Sequence, residues 1–244
     1  MIGARLGHVL FYQTELIKED FFSIFLPFSF KNGIEFTGFQ GLASHGATIG
    51  IITGLYLYRR KYNYKSLIWL LDKMTIPVTV GGALIRFGNF INSEIIGKVT
   101  DSALGVRFVQ DYYNKYEIVK LTGIQNVQKA YNAVTETSQF KPLLEAVPYR
   151  HPTQLYEAIC YLLMFPLFWY LYKKTKYGNQ PGFLIGFFFV LLWTIRFFIE
   201  YLKIPQVEGR EDWVLNSLNT GQVLSIPFIL AGLYFMFVYK QKAK

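Results

Sequence analysis

Long apolar runs separated by short polar segments dominate the hydrophobic pattern of this chain. Each run approaches the ~20 residues that a helix needs to cross a bilayer, so each predicts a membrane span. The complete runs occupy residues 42–58, 67–86, 151–172, 182–200 and 219–239. A further apolar segment at residues 2–12 is too short to span and predicts only the second half of a helix.

Two segments interrupt this pattern. Residues 13–44 form a long connection whose aromatic stretch (21–30) contains Pro27, so we expect an interfacial segment lying on the membrane. Residues 98–150 mix acidic and basic residues without a run long enough to span, which predicts a small folded head outside the bilayer.

The pattern therefore predicts an all-α polytopic membrane protein with about five full transmembrane helices, a partial N-terminal helix and a small extracytoplasmic head. The expected organisation is an N-terminal membrane part (1–97), the head (98–150) and a C-terminal membrane part (151–244).

The composition agrees with a membrane protein. Hydrophobic residues make up 52% of the chain and charged residues only 17%, and the mean hydropathy is +0.24. The net charge of +9 comes from short basic segments between the apolar runs, which argues against nucleic-acid binding. Such segments usually stay in the cytoplasm, which places the C-terminus there and the head on the opposite side.

Metal and disulfide chemistry are not expected. Cys160 is the single cysteine, so no internal disulfide is possible, and the histidines lie far apart in the sequence. We therefore expect no cysteine-based metal site and find no zinc-type spacing.

Polar residues collect in the stretch GGALIRFGNFINSEIIGKVTD (81–101), at the end of an apolar run. Arg86, Asn89, Glu94 and Gly97 lie within it. A charge at membrane depth is costly and normally faces a bundle interior or a wet cavity, and a guanidinium matches two oxygens of a phosphate. The stretch therefore predicts a site for the head group of an anionic phospholipid at a leaflet surface.

The predicted topology brings more polar residues to the same outer face. The runs begin or end there with His45, Gln154, Tyr156, Glu157, Arg196 and Glu200. Independent interfacial residues would occupy both ends of the spans. Clustering at one end predicts a shared site that opens to the outer surface.

The two arginines are the main candidates for phosphate binding. Arg86 and Arg196 could flank one phosphodiester and offset the charge that develops on a leaving phosphate. For Arg86 the alternative is an interfacial anchor. For Arg196 it is a local ion pair with Glu200, four residues later on the same helix face.

His45 is the candidate general base, because an imidazole titrates near neutral pH. A structural role is the alternative, and for an isolated histidine it is the commoner one. Glu94 and Glu157 either orient a histidine or an arginine, or face water.

Several motifs run in order through nearly the whole chain. They are IGARLGHVLFY (2–12), GLASHGATIG (41–50), RFGNFINSEIIG (86–97), HPTQLYE (151–157), RFFIE (196–200) and TGQVLSIP (220–227). Together they resemble the prolipoprotein diacylglyceryl transferase family, bacterial inner-membrane enzymes of lipoprotein maturation.

The resemblance implies a reaction that uses no metal and no soluble cofactor. A diacylglyceryl group passes from phosphatidylglycerol to the thiol of the lipobox cysteine in a prolipoprotein signal region, and glycerol 1-phosphate leaves. The implied binding or catalytic residues are His45, Arg86, Asn89, Glu94, Gly97, Arg196 and Glu200, with Gln154, Tyr156 and Glu157 in support.

The chain departs from the family pattern at its start. Family members usually carry a first helix and the beginning of a second before IGARLG, whereas Met1 directly precedes this segment here. We therefore expect a shortened sequence, and an inactive N-terminally truncated lipid-binding remnant is one alternative function. The other is a transporter for an anionic solute, although a transporter should show an internal repeat and midplane polar groups.

Overall fold

The structure, a computed structural model, describes residues 2–30, 33–36, 38, 41, 43–62, 66–204 and 218–239, and among these not the side chains of Tyr12, Ser44, His45 and Thr220. The chain forms two compact units, residues 1–70 and 71–244.

The first unit contains two longer helices and an irregular segment between them. Its elements are α1 (Ile2–Tyr12), α2 (Leu16–Glu19), a 3₁₀ turn (Phe21–Ile24), the antiparallel pair β1 (Phe28–Ser29) and β2 (Glu35–Phe36), and α3 (Ser44–Tyr62).

Glycines allow α1 and α3 to pack with their backbones in contact. A Cβ on Gly3 would lie 2.5 Å from the carbonyl oxygen of Gly46, and a Cβ on Gly50 would lie 3.1 Å from the Cα of Gly3. Small residues spaced four apart permit this close approach in membrane helices.

The aromatic stretch between α1 and α3 is irregular, as the proline predicted. Asp20 is buried and accepts hydrogen bonds from the Phe30 amide at 2.9 Å and the Ser29 hydroxyl at 3.1 Å. These bonds fold the stretch back on itself. Phe22 and Phe25 nevertheless remain exposed.

The second unit carries most of the helices. α4 (Leu67–Ile91) leads into it, and it continues with β3 (Val106–Arg107), α5 (Val109–Tyr112), α6 (Lys115–Thr122), α7 (Val127–Glu136), a 3₁₀ turn (Ser138–Phe140), α8 (Lys141–Ala146), β4 (Tyr149–Arg150), α9 (Thr153–Lys174), a 3₁₀ turn (Lys176–Asn179), α10 (Phe183–Glu200), α11 (Thr220–Leu233) and a π-helical turn (Tyr234–Val238).

Within the described residues, four helical segments are long and apolar enough to cross a membrane. They are Leu67–Ile91, Thr153–Lys174, Phe183–Glu200 and Gly221–Val238. A helical, multi-pass membrane protein is therefore confirmed. The predicted span at 42–58 forms helix α3, but α3 is not among the four, because its last turn carries Arg59, Arg60 and Lys61. The count of five spans stays a prediction.

Residues 98–150 form short helices with a small core of their own. Ile118, Ala130, Val134 and Val147 are buried in it. The Tyr131 hydroxyl donates a 2.7 Å hydrogen bond to the carbonyl oxygen of Tyr113. Burial raises the pKa of Tyr131, so this donor stays protonated.

The start of α10 is held by a buried carboxylate. Asp72 accepts hydrogen bonds from the backbone amides of Gly182 at 2.7 Å and Ile185 at 2.8 Å. An anion is favourable there, because the first amides of a helix lack partners within the helix. Asp72 thereby joins the first turns of α4 to the beginning of α10.

Glycines also bring α10 and α11 together. A Cβ on Gly186 would lie 2.6 Å from the carbonyl oxygen of Gly232 and 2.9 Å from the amide nitrogen of Met236. Further along, the rings of Trp193 and Phe228 stack with centroids 4.2 Å apart. This contact sets the position of the end of α10, where Arg196 and Glu200 lie.

We predict that Gly186→Ala destabilises the protein by about 1–3 kcal/mol, because a methyl group between two backbones forces the helices apart. Thermal unfolding in detergent micelles measures the change. Gly81→Ala is the matched control, since nothing lies within 4 Å of its Cβ position. That variant should be unchanged or more stable by about 0.5–1 kcal/mol. Equal midpoints for the two variants would contradict the proposed packing.

Candidate active site

A strained turn follows α4 and positions the RFGNFINSEIIG motif. Ser93 (φ 55°) and Ile95 (φ 57°) both adopt left-handed backbone conformations. Such a conformation is unfavourable for a β-branched residue such as Ile95 and persists only when surrounding contacts enforce it.

The first turn of α9 supplies those contacts. Gln154 donates from Nε2 to the Glu94 carbonyl oxygen at 2.5 Å, and Thr153 donates from Oγ1 to the Ile95 carbonyl oxygen at 3.0 Å. Both side chains are buried. The HPTQLYE motif therefore binds the backbone of the turn after α4.

The carboxylate of Glu94 organises the amides of the same turn. Asn89 donates to Glu94 Oε2 at 2.6 Å, and Asn92 donates to Oε1 at 3.3 Å. Arg86 makes a longer contact, 3.5 Å, from Nη1 to Asn89 Oδ1. Glu94 thus orients Asn89 beside Arg86.

Gly97 lies where three chain segments meet. Its amide donates to the His151 carbonyl oxygen at 3.0 Å, and the neighbouring Lys98 amide donates to the Leu202 carbonyl oxygen at 2.7 Å. A Cβ on Gly97 would lie 2.5 Å from His151 O and 2.9 Å from Leu202 O. Backbone packing therefore requires a glycine here. His151 Nδ1 also lies 3.2 Å from the Tyr156 hydroxyl.

Glu157 lies between two cations in the interior. Its carboxylate has no exposed surface, and its Oε2 lies 2.7 Å from Nε of Arg86, whose side chain is 14% exposed. Its other oxygen, Oε1, accepts from Nζ of Lys203 at 2.9 Å, and the same Nζ lies 3.2 Å from Glu200 Oε2. The result is a continuous chain of alternating charges, Arg86–Glu157–Lys203–Glu200.

Arg196 does not pair with Glu200. Its guanidinium carbon lies 5.1 Å from the centroid of the Trp193 ring, and the structure places no carboxylate within ion-pair distance of it among the described residues. Glu200 pairs with Lys203 instead. The alternative of a local Arg196–Glu200 ion pair is therefore wrong, because a buried ammonium group occupies the Glu200 carboxylate.

Tyr161 lies near both arginines. Its phenol group forms a hydrogen bond with Arg86 and interacts electrostatically with Arg196 and Glu157. Its ring lies 3.3 Å from the Cβ position of Gly82 and is buried. The end of α4, the start of α9 and the end of α10 therefore converge around one aromatic side chain.

The start of α11 completes the site. Asn219 and Gln222 form a capping box, and both also bond to the end of α10: Asn219 Nδ2 to the Glu200 carbonyl oxygen and Gln222 Nε2 to the Phe197 carbonyl oxygen, each at 3.3 Å. Gly221 leaves room for the Glu200 side chain, since a Cβ there would lie 2.6 Å from Oε1.

The second unit therefore assembles most of the predicted site residues. They are Arg86, Asn89, Glu94, Gly97, Gln154, Tyr156, Glu157, Arg196 and Glu200. His45 belongs to α3 in the first unit, and its side chain lies outside the described residues. In the part of the chain that the structure describes, no cluster of histidine, cysteine and acidic residues suits a metal ion.

Sequence reasoning missed Lys203, Tyr161, Asn219 and Gln222. Asn219 and Gln222 carry a signal, because an Asn-x-x-Gln pattern before an apolar run is typical of a capping box. Lys203 lies three residues after Glu200, a spacing compatible with an ion pair. Tyr161 carries no such signal and looks like any aromatic residue in a span.

Two comparisons of the sequence with known proteins identify the same family. The sequence model of the prolipoprotein diacylglyceryl transferase family matches residues 1–238. The phosphatidylglycerol–prolipoprotein diacylglyceryl transferase of Bacteroides fragilis is 38% identical over 246 residues, covering 99% of this chain and 74% of the relative.

Relatives of the same name in other bacteria are similar over nearly all of the chain. The Porphyromonas gingivalis protein is 36% identical, covering 96% of this chain and 71% of its own length. The Tolumonas auensis protein is 35% identical, covering 100% of this chain and 76% of its own length. The chain thus belongs to the prolipoprotein diacylglyceryl transferase family.

Proposed function

We propose that this protein transfers the diacylglyceryl group of phosphatidylglycerol to the lipobox cysteine thiol of prolipoproteins and releases glycerol 1-phosphate, the first step of lipoprotein maturation. Family membership and the names of its relatives support this reading. The observation that carries it is the convergence of Arg86 and Arg196 around Tyr161, near the ends of apolar helices.

Arg86 and Arg196 bind the phosphate in this proposal. Nε of Arg86 lies against Glu157, so a phosphate oxygen would bind at the terminal nitrogens, in place of or beside their contacts with Asn89 and the Tyr161 phenol. The charges of the four paired groups Arg86, Glu157, Lys203 and Glu200 cancel. Arg196 is then the cation that balances the single negative charge of a phosphodiester.

The transfer itself is a displacement at carbon. The substrate thiolate attacks the glyceryl carbon next to the phosphate, a C–S bond forms, and the C–O bond to the phosphate breaks. The electron pair leaves with glycerol 1-phosphate, whose developing charge the arginines stabilise. His45 takes the thiol proton, since a thiol with a pKa of about 8.5 needs a base to react near neutral pH.

The remaining site residues position this machinery. Asn89 and Glu94 lie where they can contact the head group beside Arg86, and Gly97 permits the backbone contacts that hold the turn. Gln154 and Tyr156, at the start of α9, support the site through their contacts with the Glu94 carbonyl oxygen and with His151. Glu200 is proposed as catalytic because the family resemblance assigns it beside Arg196, one helical turn away on α10.

We also propose the finer membrane arrangement. The protein lies in the bacterial inner membrane with α3 as a fifth span, the head (98–150) and the active site outside, and the C-terminus in the cytoplasm. Exposed Phe22 and Phe25 support an interfacial position for the connection 13–44. The boundaries 1–97 and 151–244 for the two membrane parts belong to the same proposal.

The polar cluster also favours an enzyme over a transporter of an anionic solute. Glu157 is the fifth residue of α9, and Glu200 is the last of α10. Both residues therefore lie near helix ends, whereas transporter sites lie near the bilayer midplane and are formed by broken helices.

A transfer assay tests the function directly. We predict that purified protein in phosphatidylglycerol vesicles adds one diacylglyceryl group to a lipobox peptide, detected by mass spectrometry, with release of glycerol 1-phosphate. The controls are a peptide with serine in place of the lipobox cysteine and vesicles of phosphatidylethanolamine. A product in either control, or none with the complete substrates, contradicts the proposal.

Substituting either arginine tests phosphate binding. We predict that Arg86→Gln and Arg196→Gln each lower kcat/KM by about 10²–10³-fold, because each removes a cation from the developing phosphate charge. Arg107→Gln in the head is the matched control and should retain activity, since Arg107 instead packs against the Tyr149 ring. A donor of this kind contributes a factor of about 10² to the rate. Activity within about twofold of wild type in Arg86→Gln would therefore exclude the assigned role.

Gly97→Ala tests whether the glycine acts through packing. We predict loss of activity together with a lower unfolding temperature, because the methyl group meets the backbones of His151 and Leu202. Circular dichroism in detergent measures the stability. Normal stability with lost activity would instead indicate a direct contact between Gly97 and the lipid.

A further inference from the structure

Lys203 is unusually buried for a lysine. It follows α10 directly and is only 6% exposed, whereas lysine side chains are almost never buried unless they are paired. Its ammonium group is compensated from two sides, by Glu157 Oε1 at 2.9 Å and Glu200 Oε2 at 3.2 Å. The first carboxylate belongs to α9 and the second to α10.

The backbone fixes the origin of this side chain. Lys203 forms an antiparallel bridge with Gly97. The Lys98 amide donates to the Leu202 carbonyl oxygen at 2.7 Å, and the Ile204 amide donates to the Ile96 carbonyl oxygen at 3.3 Å. The backbone contacts with the end of the RFGNFINSEIIG motif therefore fix the position from which the Lys203 side chain extends.

Glu157 divides its two oxygens between two cations. Oε1 contacts Lys203 and Oε2 contacts Arg86 Nε. Without Lys203, both oxygens would be available to Arg86, and a guanidinium pairs most strongly with a carboxylate through two parallel bonds. Arg86 would then turn toward Glu157 and away from a phosphate.

The change in net charge on losing Lys203 would also weaken binding of a phosphate. The charges of the four paired groups Arg86, Glu157, Lys203 and Glu200 sum to zero, and removal of the ammonium leaves a net charge of −1 beside the proposed phosphate site. Inside an apolar surrounding such a charge is poorly screened. It would repel an anionic lipid head group while leaving a neutral thiol substrate largely unaffected.

We propose that Lys203 is a positioning residue for the transfer reaction: it orients Glu157 and Glu200, and through Glu157 it holds the Arg86 guanidinium toward the phosphate of phosphatidylglycerol. The inference rests on the proposed function for its catalytic consequence. Its structural part, the effect on binding of an anionic lipid, holds without turnover.

The experiment compares Lys203→Met, Lys203→Arg and Lys98→Met in the full chain. Lys98 is an exposed lysine whose backbone lies beside Leu202, so Lys98→Met removes the same charge without touching the buried network. Steady-state transfer gives kcat and separate KM values for phosphatidylglycerol and for a lipobox peptide. Tryptophan fluorescence during titration with phosphatidylglycerol in detergent gives Kd, since Trp193 stacks with Arg196.

We expect Lys203→Met to raise KM and Kd for phosphatidylglycerol by at least about tenfold, equivalent to about 1.4 kcal/mol, with the peptide KM changed less than about twofold. Lys203→Arg retains the charge and should bind the lipid within about threefold of wild type. Lys98→Met should match wild type in every constant. A merely structural role would lower the active fraction without this selective change in lipid binding.

A second variant addresses folding. Lys203→Met/Glu157→Gln restores a neutral network, so we expect it to bind phosphatidylglycerol better than Lys203→Met alone, whereas independent effects would make the double variant worse. Folding is checked by the unfolding temperature. If Lys203→Met does not fold, Glu157→Gln is compared with the double variant, which gives the effect of the same lysine substitution when Glu157 is already neutral. Similar Kd values for these two variants support action through Glu157, and a further loss of about tenfold overturns it.

The outcomes separate the two proposals. If wild type binds phosphatidylglycerol without transferring it, the transferase proposal fails, and Lys203 is still judged by Kd. Unchanged Kd in folded Lys203→Met, equal effects of Lys203→Met and Lys98→Met, or additive losses in the double variant each overturn the positioning role. A wild-type protein that neither binds nor transfers the lipid overturns both.

Discussion

The carboxylate of Glu157 is the contact on which the site in the second unit depends. It has no access to solvent and lies 2.7 Å from Arg86 Nε and 2.9 Å from Lys203 Nζ. A buried charge is tolerated only when its partners stay in place, so α4, α9 and the segment after α10 must keep their positions. The interaction that makes these charges compatible with an apolar surrounding thus also holds Nε of Arg86 against α9.

Backbone geometry supports this arrangement as much as side-chain charge does. Ile95 adopts an unfavourable left-handed conformation, and the Thr153 and Gln154 side chains bind the carbonyl groups around it. Gly97 then allows the chain to pair with Lys203. Much of the HPTQLYE and RFGNFINSEIIG motifs therefore serves to hold one turn.

The helices follow closely from the hydrophobic pattern. The runs at 67–86, 151–172, 182–200 and 219–239 correspond to helices, because a membrane-length apolar run has no other way to satisfy its backbone. The run at 42–58 overlaps helix α3. Because the last turn of α3 is basic, length and composition alone do not identify it as a membrane span. Contacts between helices could not be predicted from the sequence. Gly186 and Gly232, for example, look like any other glycines in the sequence, and only the structure shows that their backbones touch.

The sequence by itself determined the protein class, the family motifs and the collection of arginine, carboxylate and amide residues near helix ends. Only the tertiary structure decided which of them pair. Sequence spacing offered Arg196 as the partner of Glu200, yet Lys203 pairs with that carboxylate, and Glu157 pairs with Arg86, which lies 71 positions earlier in the chain. Periodicity describes the faces of one helix, whereas pairing of buried charges depends on how several helices pack and on which cation lies closest in a low-dielectric interior.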